Sequence, residues 1–336
     1  MKGLSIAIVT LLLAAAAPTH AETARGKTTG GISYSMPSWF KASFLDFQHD
    51  IEEARKQGKH VLVFLHLDEC PYCARMLKEN FTGGETRDFI QKNFDVIGVN
   101  IRGVLETVWI DGKTYTERAL AGHLKVVATP TIVLVDLDGN KVLQLTGYRD
   151  PRALRQALDF VQSKSYRKQS FADYLTAQAK SAVYAFRDHP QFVTRTDFKD
   201  YTRPLAILFE DRQCAECARF HDKTLSHPDV LVELKKFTVV RFDAESTQPI
   251  VDLNGDVTTP AQWVKALGLT YRPSVVLFNE GHQIFRIDNR LYHFHFKEAL
   301  RYVSGGYYRQ YDNISSYNAA RRDELLKQGI DIDYAE

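Results

Sequence analysis

The four cysteines of this 336-residue chain form two pairs with the same spacing. Cys70 and Cys73 lie in "DECPYCARM", and Cys214 and Cys217 lie in "DRQCAECARF". Two thiols separated by two residues can form and release a disulfide, in which one sulfur attacks a substrate and the other displaces it. All four cysteines are used in these pairs, so none remains for an ordinary structural disulfide. The pattern therefore indicates redox chemistry.

In each pair we expect the first cysteine to attack and the second to resolve. A strand followed by C-x-x-C and a helix places Cys70 and Cys214 at a helix N-cap. Unpaired backbone N–H groups and the positive end of the helix dipole favour a thiolate at that position. Cys73 and Cys217 lie one turn further on, close enough to displace a mixed disulfide.

Metal binding is the alternative use of these cysteines, because two C-x-x-C pairs can hold zinc or copper. A zinc ribbon separates its pairs by about 15–20 residues, whereas Cys70 and Cys214 are 144 positions apart. His66, four residues before Cys70, would support a metal, but Glu210 stands at the equivalent position of the second copy. We therefore expect no metal and no other cofactor, and we expect His66 and Glu210 to modulate the redox centres.

The elements around the two cysteine pairs repeat along the chain, at offsets between 142 and 144 positions. A continuous apolar run, "HVLVFLH" at 60–66 and "LAILF" at 205–209, predicts a strand buried on both faces before each pair. Each copy then predicts two helices, a strand, an insert that forms a short hairpin, a third helix, a two-strand hairpin and a last helix. Two copies of this length indicate duplicated domains rather than a solenoid.

Local signals place two helix starts in the first copy. Asp150 is expected to cap the last helix, with Pro151 at its first position. The amphipathic segment 44–59 predicts a helix before the first strand. We expect the buried face of that helix to carry four side chains, namely Phe44, Phe47, Ile51 and Ala54.

A proline opens a buried strand about 60 residues after each pair: Pro130 follows Cys70, and Pro273 follows Cys214. Proline has no backbone N–H and is unusual in such a strand. This order of C-x-x-C, helix and proline-opened strand, present twice, resembles the thioredoxin family. The fold class implied is α/β, with two tandem thioredoxin-fold domains, each a central mixed β-sheet flanked by helices. "E-A-x-x-x-G-K" at 53–59 and "C-P-Y-C" are similar to exported bacterial thioredoxin-like proteins, including those of periplasmic sulfur-oxidation systems.

The resemblance also implies roles for the residues around the two prolines. It implies cis peptide bonds at Thr129–Pro130 and Arg272–Pro273, facing the sulfurs. In the family, the residue before the proline offers its backbone to an extended substrate, so these four residues are candidate substrate-binding residues. In that family, the residue before the proline also helps to tune the redox potential and to exclude metal.

The chain departs from the family pattern in two places. Thioredoxin carries a buried aspartate in the strand six residues before its first cysteine, where this chain has Phe64 and Leu208. The tryptophan usual just before that cysteine is replaced by Glu69 and Gln213. No proton acceptor for the resolving cysteine is identified, which leaves water, or Glu210 in the second copy, as candidates.

The dipeptides inside the two motifs differ, and we expect them to modulate the two centres differently. Pro71 and Tyr72 lie between the first cysteines, and Ala215 and Glu216 lie between the second. A nearby anion disfavours a thiolate. On the basis of Glu216 and of Arg272, we predict that the Cys214–Cys217 couple is the more reducing of the two.

The N-terminus carries a targeting pattern. Lys2, the apolar run at 4–17 and the small residue Ala21 predict a secretory signal peptide cleaved near Ala21, with an uncleaved anchor helix as the alternative. The mature chain is then soluble and exported, most simply to a bacterial periplasm. The expected divisions are a signal peptide (1–21), an N-terminal linker (22–38), domain 1 (39–163), a helical connector (164–182), domain 2 (183–305) and a helical tail (306–336).

These observations predict an exported thiol–disulfide oxidoreductase, and the resemblance favours the reducing direction. We expect protein or small disulfide substrates, a membrane-bound thiol electron donor and no stable membrane insertion. A formal net charge of +2 gives no basic surface for nucleic acid. Two rival functions stay open: an oxidase or isomerase of secreted proteins, and a non-enzymatic metal-binding or chaperone module.

Overall fold

The computed structural model describes residues 24–178 and 182–335. The predicted signal peptide and its cleavage near Ala21 lie outside these residues. The first domain contains, in chain order, β1 (Thr28–Thr29), α1 (Phe47–Lys56), β2 (His60–His66), α2 (Pro71–Asn80), α3 (Gly84–Asn93), β3 (Phe94–Asn100), β4 (Glu106–Val108), β5 (Thr114–Thr116), α4 (Glu117–His123), β6 (Thr131–Val135), β7 (Lys141–Thr146) and α5 (Pro151–Gln162).

The second half of the chain repeats the order from β2 to α5, with one additional helix before the repeat and a helix and a strand after it. It contains α6 (Phe171–Ala177), β8 (Leu205–Glu210), α7 (Cys217–Arg219) with a π-helical turn (Phe220–Leu225), α8 (Pro228–Leu234), β9 (Thr238–Asp243), β10 (Ile250–Val251), β11 (Val257–Thr258), α9 (Pro260–Ala266), β12 (Ser274–Asn279), β13 (His282–Ile287), α10 (His293–Ser304), α11 (Ile314–Lys327) and β14 (Ile332–Asp333).

Each domain is built on a four-stranded mixed sheet. The strand orders are β3-β2-β6-β7 and β9-β8-β12-β13. Strands β3 and β2 are parallel to each other, as are β9 and β8. All other neighbouring strands in the two sheets are antiparallel. The inserts form the predicted short hairpins, β4 with β5 and β10 with β11. The predicted duplication of a mixed sheet flanked by helices is therefore confirmed.

Strand β2 is covered on both faces, as its continuous apolar run predicts. Successive side chains of a strand point to opposite faces. Leu62 and Phe64 accordingly pack in one core cluster, together with α2 and α5. Val61, Val63 and Leu65 pack in the other cluster, together with α1 and α4. This double coverage fixes the end of β2, and hence the cysteine pair that follows it.

Helix α1 is shorter than predicted. It begins at Phe47 because Asp46 caps it, accepting from the backbone N–H groups of Gln48 and His49. Phe47 is buried on the predicted face, but Phe44 precedes the cap and is fully exposed. The expectation that Phe44 belongs to the buried face is therefore wrong.

The two ends of the described chain meet. Strand β1 pairs in parallel with β14, and the Gly26 N–H donates to the Leu326 carbonyl at 2.8 Å. Residues 26–29, within the expected linker at 22–38, are therefore hydrogen-bonded to the C-terminal part of the chain. Helix α6 packs on α5 through the rings of Phe171 and Phe160, and helix α11 packs on α10 through the rings of Tyr317 and Tyr302. None of the helices in the described residues is both long and apolar enough to cross a membrane.

Candidate active site

The first cysteine pair lies where β2 leads into α2. Cys70 is the N-cap of α2, and its sulfur accepts a hydrogen bond from the backbone N–H of Cys73 at 3.1 Å. Pro71 holds the first helical position, where its fixed φ suits a helix start and its missing N–H is not needed. A disulfide joins the two cysteines, whose Cα atoms are 5.2 Å apart. In the reduced pair, the N–H and the helix dipole stabilise a thiolate on Cys70.

The loop before β6 lies against this sulfur. The Thr129 hydroxyl oxygen is 3.4 Å from the Cys70 Sγ, and the Thr129 carbonyl oxygen is 3.7 Å from it. The Thr129–Pro130 peptide bond is cis, and so is Arg272–Pro273 at the equivalent place in domain 2. The structure therefore brings together a cysteine and a proline that the sequence separates by 60 positions. The backbone of Thr129 therefore lies beside the Cys70 sulfur.

The second cysteine pair is built differently. A disulfide joins Cys214 and Cys217, with Cα atoms 5.4 Å apart. Helix α7 begins only at Cys217, so the prediction that Cys214 caps a helix is wrong. Ala215 stands where Pro71 stands in the first copy, and the chain there makes a turn in which the Cys214 N–H donates to the Asp211 carbonyl at 3.2 Å. The argument that a helix dipole favours a thiolate therefore holds for Cys70 and does not hold for Cys214.

Two charges beside the second centre have partners. Arg272 lies 3.3 Å from Asp211, and burial lowers the pKa of its guanidinium. Glu216 contacts Arg290 and lies 3.9 Å from Arg75 of α2. Burial raises the pKa of Glu216, and the two arginines oppose that rise. Because partners offset both charges, their net influence on the sulfurs is smaller than the sequence suggests. The order of the two redox potentials stays a prediction.

The residue four positions before each cysteine pair bonds a tyrosine from the segment that leads into its domain. In domain 1, the Tyr34 hydroxyl is 3.0 Å from His66 Nδ1 and donates to the Leu67 carbonyl at 2.6 Å. In domain 2, the Tyr184 hydroxyl lies 3.3 Å from both carboxylate oxygens of Glu210. Burial lowers the pKa of His66, which favours its neutral form. His66 and Glu210 thus anchor two equivalent N-terminal arms, residues 24–40 and 182–198.

Each arm also follows the loop just before its cysteine pair. The Ile32 N–H donates to the Glu69 carbonyl at 3.2 Å, next to Cys70. The Val183 N–H donates to the Arg212 carbonyl at 2.7 Å, two residues before Cys214. The arms therefore cover one side of each centre, although the sequence predicts a linker for the first of them.

Tyr72, between the first two cysteines, contacts domain 2 directly. Its ring stacks on Tyr292 with centroids 4.3 Å apart and planes at 18°. Its hydroxyl accepts from the Tyr292 N–H at 2.9 Å and lies 3.2 Å from His295 Nδ1. Burial lowers the pKa of His295 to about 4, so this imidazole is neutral at pH 7. The C-P-Y-C dipeptide is therefore part of a buried interface between the domains.

Domain 2 and the tail cover further sides of the first centre. Gly147 follows β7 at φ +84°, and a Cβ atom there would collide with the side chain of Asn289. Ser315, in the first turn of α11, donates to the Val127 carbonyl at 3.1 Å, two residues before Thr129. Cys70 is 6% exposed in the disulfide form. The first centre is enclosed by other parts of the same chain.

Arginines cross the interface in both directions. Arg149 of domain 1 donates to the Asp288 carbonyl at 3.0 Å, and its guanidinium lies 5.0 Å from the centre of the Tyr271 ring. Arg290 of domain 2 lies 5.8 Å from the centre of the Tyr148 ring. The loops after β7 and β13 therefore face each other, so both domains use their active-site sides for the contact.

One cluster in the described parts of the chain has three acidic or histidine side chains close enough to share a metal ion, and it lies on α1. It consists of His49, Asp50 and Glu53. Lys41 lies 3.0 Å from Asp50 and 2.6 Å from Glu53, so an ion-pair network accounts for the two acids. Cysteine is not a member of this cluster.

Several residues near the centres were not predicted from the sequence. Tyr34 and Tyr184 are 150 positions apart, outside the offset that relates the two copies. His221 follows Cys217 by four residues, a spacing that places side chains on one helix face and could have found it. Tyr292 and His295 contact Tyr72 across the domain interface, and such a contact has no local signal in the sequence.

Comparisons with known proteins agree with this architecture. The chain matches the family described as "Thioredoxin-like domain" over residues 47–162 and again over 195–304. It is 26% identical over 162 residues to the thiol:disulfide interchange protein DsbD of Pseudoalteromonas atlantica, an overlap of 45% of this chain and 25% of that protein. The chain thus spans about a quarter of that relative's length.

Two solved structures are similar over about one domain. A thioredoxin-fold protein from Helicobacter pylori is 25% identical, with 38% of this chain and 90% of that chain covered and a TM-score of 0.32. A thioredoxin from Thermus thermophilus is 24% identical, with 35% and 85% covered and a TM-score of 0.29. The expected likeness to thioredoxins of sulfur-oxidation systems finds no support among these relatives.

Proposed function

Because the chain belongs to the thioredoxin-like domain family and carries two copies of that domain, we propose that it is a thiol–disulfide oxidoreductase that reduces disulfides outside the cytoplasm. The observation that carries this proposal is the first centre: a Cys70–Cys73 disulfide at a helix start, with the Cys70 sulfur facing Thr129. The Cys214–Cys217 disulfide supplies a second centre of the same chemistry.

The proposed cycle begins with both thiols of a centre reduced. The Cys70 thiolate attacks one sulfur of a substrate disulfide, a new S–S bond forms, and the other substrate sulfur leaves as a thiolate. The Cys73 sulfur then attacks Cys70, releasing the second substrate sulfur and closing the Cys70–Cys73 disulfide. The substrate has gained two electrons, and the centre has lost two. The Cys73 N–H, 3.1 Å from the Cys70 sulfur, stabilises negative charge there at the start of the cycle.

The reducing direction needs an external source of electrons. The location we propose is the periplasm, on the basis of the N-terminal apolar run and its small-residue end. A thiol donor bound to the membrane would reduce the centres again, and protein or small disulfides would be the substrates. The DsbD relative is named for thiol:disulfide interchange, which agrees with this class of reaction.

Trapping of mixed disulfides tests the proposal. Cys73→Ala and Cys217→Ala each leave an attacking thiol with no resolving partner, so partner proteins should remain attached through a bond that dithiothreitol cleaves. Variants that also lack the attacking cysteine, Cys70→Ala with Cys73→Ala for example, are the matched controls. Absence of any trapped partner, together with failure of both cysteine pairs to exchange with glutathione, would overturn the proposal.

Two assays separate the proposed direction from its rivals. A reductase accelerates the reduction of insulin by dithiothreitol, whereas an isomerase restores activity to a scrambled disulfide protein. Metal analysis of freshly purified, reduced protein addresses the remaining rival. One zinc or copper ion per chain with no dithiol activity would favour a metal-binding module.

A further inference from the structure

A buried acid–base pair lies beside the second centre, and the cycle proposed above does not use it. Glu210, the last residue of β8, has a side chain with no solvent exposure. Its Oε1 lies 2.8 Å from Nε2 of His221, whose side chain is 6% exposed. A buried carboxylate with an imidazole partner is costly to build without a role, because both groups lose hydration.

Tyr184 connects this pair to the cysteines. Its hydroxyl lies 3.3 Å from each carboxylate oxygen of Glu210. Its ring belongs to the same buried apolar cluster as Cys214 and Cys217. The hydroxyl therefore bonds the acid while the ring packs at the disulfide.

The helix places His221 on the side of the resolving cysteine. His221 follows Cys217 by four residues, and the Phe220 N–H still donates to the Glu216 carbonyl at 2.9 Å, as in an α-helix. Side chains four residues apart on such a turn share one face. The π-helical turn begins at Phe220, and such turns are frequent at functional sites.

The first centre has no equivalent of this pair. The position that corresponds to His221 is Leu77, a buried apolar residue, and Glu210 corresponds to His66. A carboxylate hydrogen-bonded to an imidazole therefore distinguishes the second centre from the first.

We propose that the Glu210–His221 pair accepts the proton of the Cys217 thiol when Cys217 resolves a mixed disulfide, and returns it when the centre is reduced. The inference deepens the proposed function and rests on it. The Cys217 S–H bond breaks, its proton moves to the pair, and the sulfur attacks Cys214. The Cys214–Cys217 bond forms, and the substrate sulfur leaves with the electron pair of the broken disulfide and takes a proton from water.

The surroundings of Cys217 explain why it needs a base. Cys217 is fully buried in the disulfide form, and burial disfavours the thiolate. A carboxylate beside a neutral imidazole becomes a carboxylate–imidazolium pair on taking one proton, and the ion pair is strong where water is excluded. On the arm, the Tyr184 hydroxyl contacts Glu210 and His189 interacts with His221, and Arg187 interacts with Tyr184.

The test measures resolution directly, in a full chain whose first centre is removed by Cys70→Ser and Cys73→Ser. Reduced protein is mixed with 5,5′-dithiobis(2-nitrobenzoate) in a stopped-flow instrument. Attack by Cys214 releases one thionitrobenzoate, and attack by Cys217 then releases the second. The additional change Cys217→Ser identifies the second phase by abolishing it. The rate of that phase is recorded from about pH 5 to pH 10.

Glu210→Gln and His221→Gln should slow the second phase at least tenfold at pH 7, because a positioned base contributes about 10²–10⁴-fold to such steps. Both should move the inflection of the pH profile upward, and their rates should approach the parent's at high pH, where the thiol ionises without a base. Glu210→Asp should restore part of the rate. His282→Gln, which removes an exposed imidazole on β13, is the matched control and should leave the profile unchanged.

The outcomes separate this inference from the proposed function. A parent that shows no second phase contradicts exchange at this centre itself. If the parent shows a second phase and the variants have the same pH profile as the parent, the acid–base role is contradicted and the exchange reaction is not. If Glu210→Gln does not fold, His221→Gln and Tyr184→Phe carry the test, because both keep the buried carboxylate. A fall in rate at every pH with no shift of the inflection also rules out the proton role.

Discussion

Removing the hydroxyl of Tyr72 should open the interface that encloses the first centre. Tyr72→Phe keeps the ring that stacks on Tyr292 but deletes the acceptor of the Tyr292 N–H, which is 2.9 Å away. It also deletes the partner of His295 Nδ1 at 3.2 Å. A buried donor left without an acceptor costs about 1–3 kcal/mol. The closed arrangement of the two domains should lose stability by that amount relative to an open one.

The loss of stability of the closed arrangement can be converted into an alkylation rate for Cys70. Each 1.4 kcal/mol is a factor of ten in an equilibrium constant, so the open population should rise about 5- to 150-fold. Cys70 is only 6% exposed in the closed form, and an alkylating reagent must wait for opening. When opening and closing are fast relative to alkylation, the alkylation rate follows the open population. We therefore expect Cys70 in Tyr72→Phe to react about 5- to 150-fold faster.

The assay uses reduced protein in a Cys214→Ser, Cys217→Ser background, with iodoacetamide and a bulky maleimide, and mass spectrometry of the peptide that contains Cys70. The increase should be larger for the bulky reagent, which needs a wider opening. Tyr115→Phe is the matched control, because its hydroxyl donates to Asp111 at 2.9 Å in an exposed hairpin.

A second variant separates opening from a direct effect on the motif. Tyr292→Leu alters the interface from the domain 2 side and leaves C-P-Y-C unchanged, so it should act in the same direction. Unchanged alkylation in both interface variants, or an equal increase in Tyr115→Phe, would refute the reasoning that domain 2 encloses the first centre.

Three further predictions concern pH, helix capping and potential. Burial lowers the pKa of His295 from 6.5 to about 4, so the unfolded chain binds a proton below pH 6.5 that the folded chain binds only near pH 4. Stability should therefore be lost as pH falls through this window, and His295→Gln should lose less; thermal unfolding at about pH 7.5 and pH 5 tests it. Asp150→Ala removes the side chain that accepts from the first N–H groups of α5, and the free energy of unfolding in urea should fall by about 1 kcal/mol; an unchanged midpoint contradicts this. The Cys214–Cys217 couple should be the more reducing of the two. Equilibration of single-centre variants with glutathione measures both potentials, and equal potentials or the reverse order would contradict this prediction.

The sequence predicts the parts of each centre that depend on local rules. The strand bounds 60–66 follow from a continuous apolar run, and the cap at Asp150 follows from Asp-Pro at a helix start. The first centre is predicted well because Pro71 presets the helix that begins there. The second centre has Ala215 instead, and the expected cap at Cys214 fails for that reason.

What the sequence does not predict depends on contacts between distant segments. The stacking of Tyr72 on Tyr292 joins residues 220 positions apart, and no periodicity or motif relates them. Phe44 looks like part of an amphipathic face, but one cap at Asp46 excludes it. His221 is a middle case, because its spacing from Cys217 is visible in the sequence while its hydrogen bond to Glu210 is not.

A redox titration of the intact chain tests the central claim most directly. The protein is equilibrated in buffers of increasing glutathione to glutathione disulfide ratio, its free thiols are alkylated after acid quenching, and the mass is measured. Two reversible redox centres predict that zero, two and four alkyl groups are added in turn, and that reoxidation returns the chain to zero. Disulfides that stay oxidised in strongly reducing buffers, or a reduced form that does not reoxidise, would contradict the assignment as a thiol–disulfide oxidoreductase.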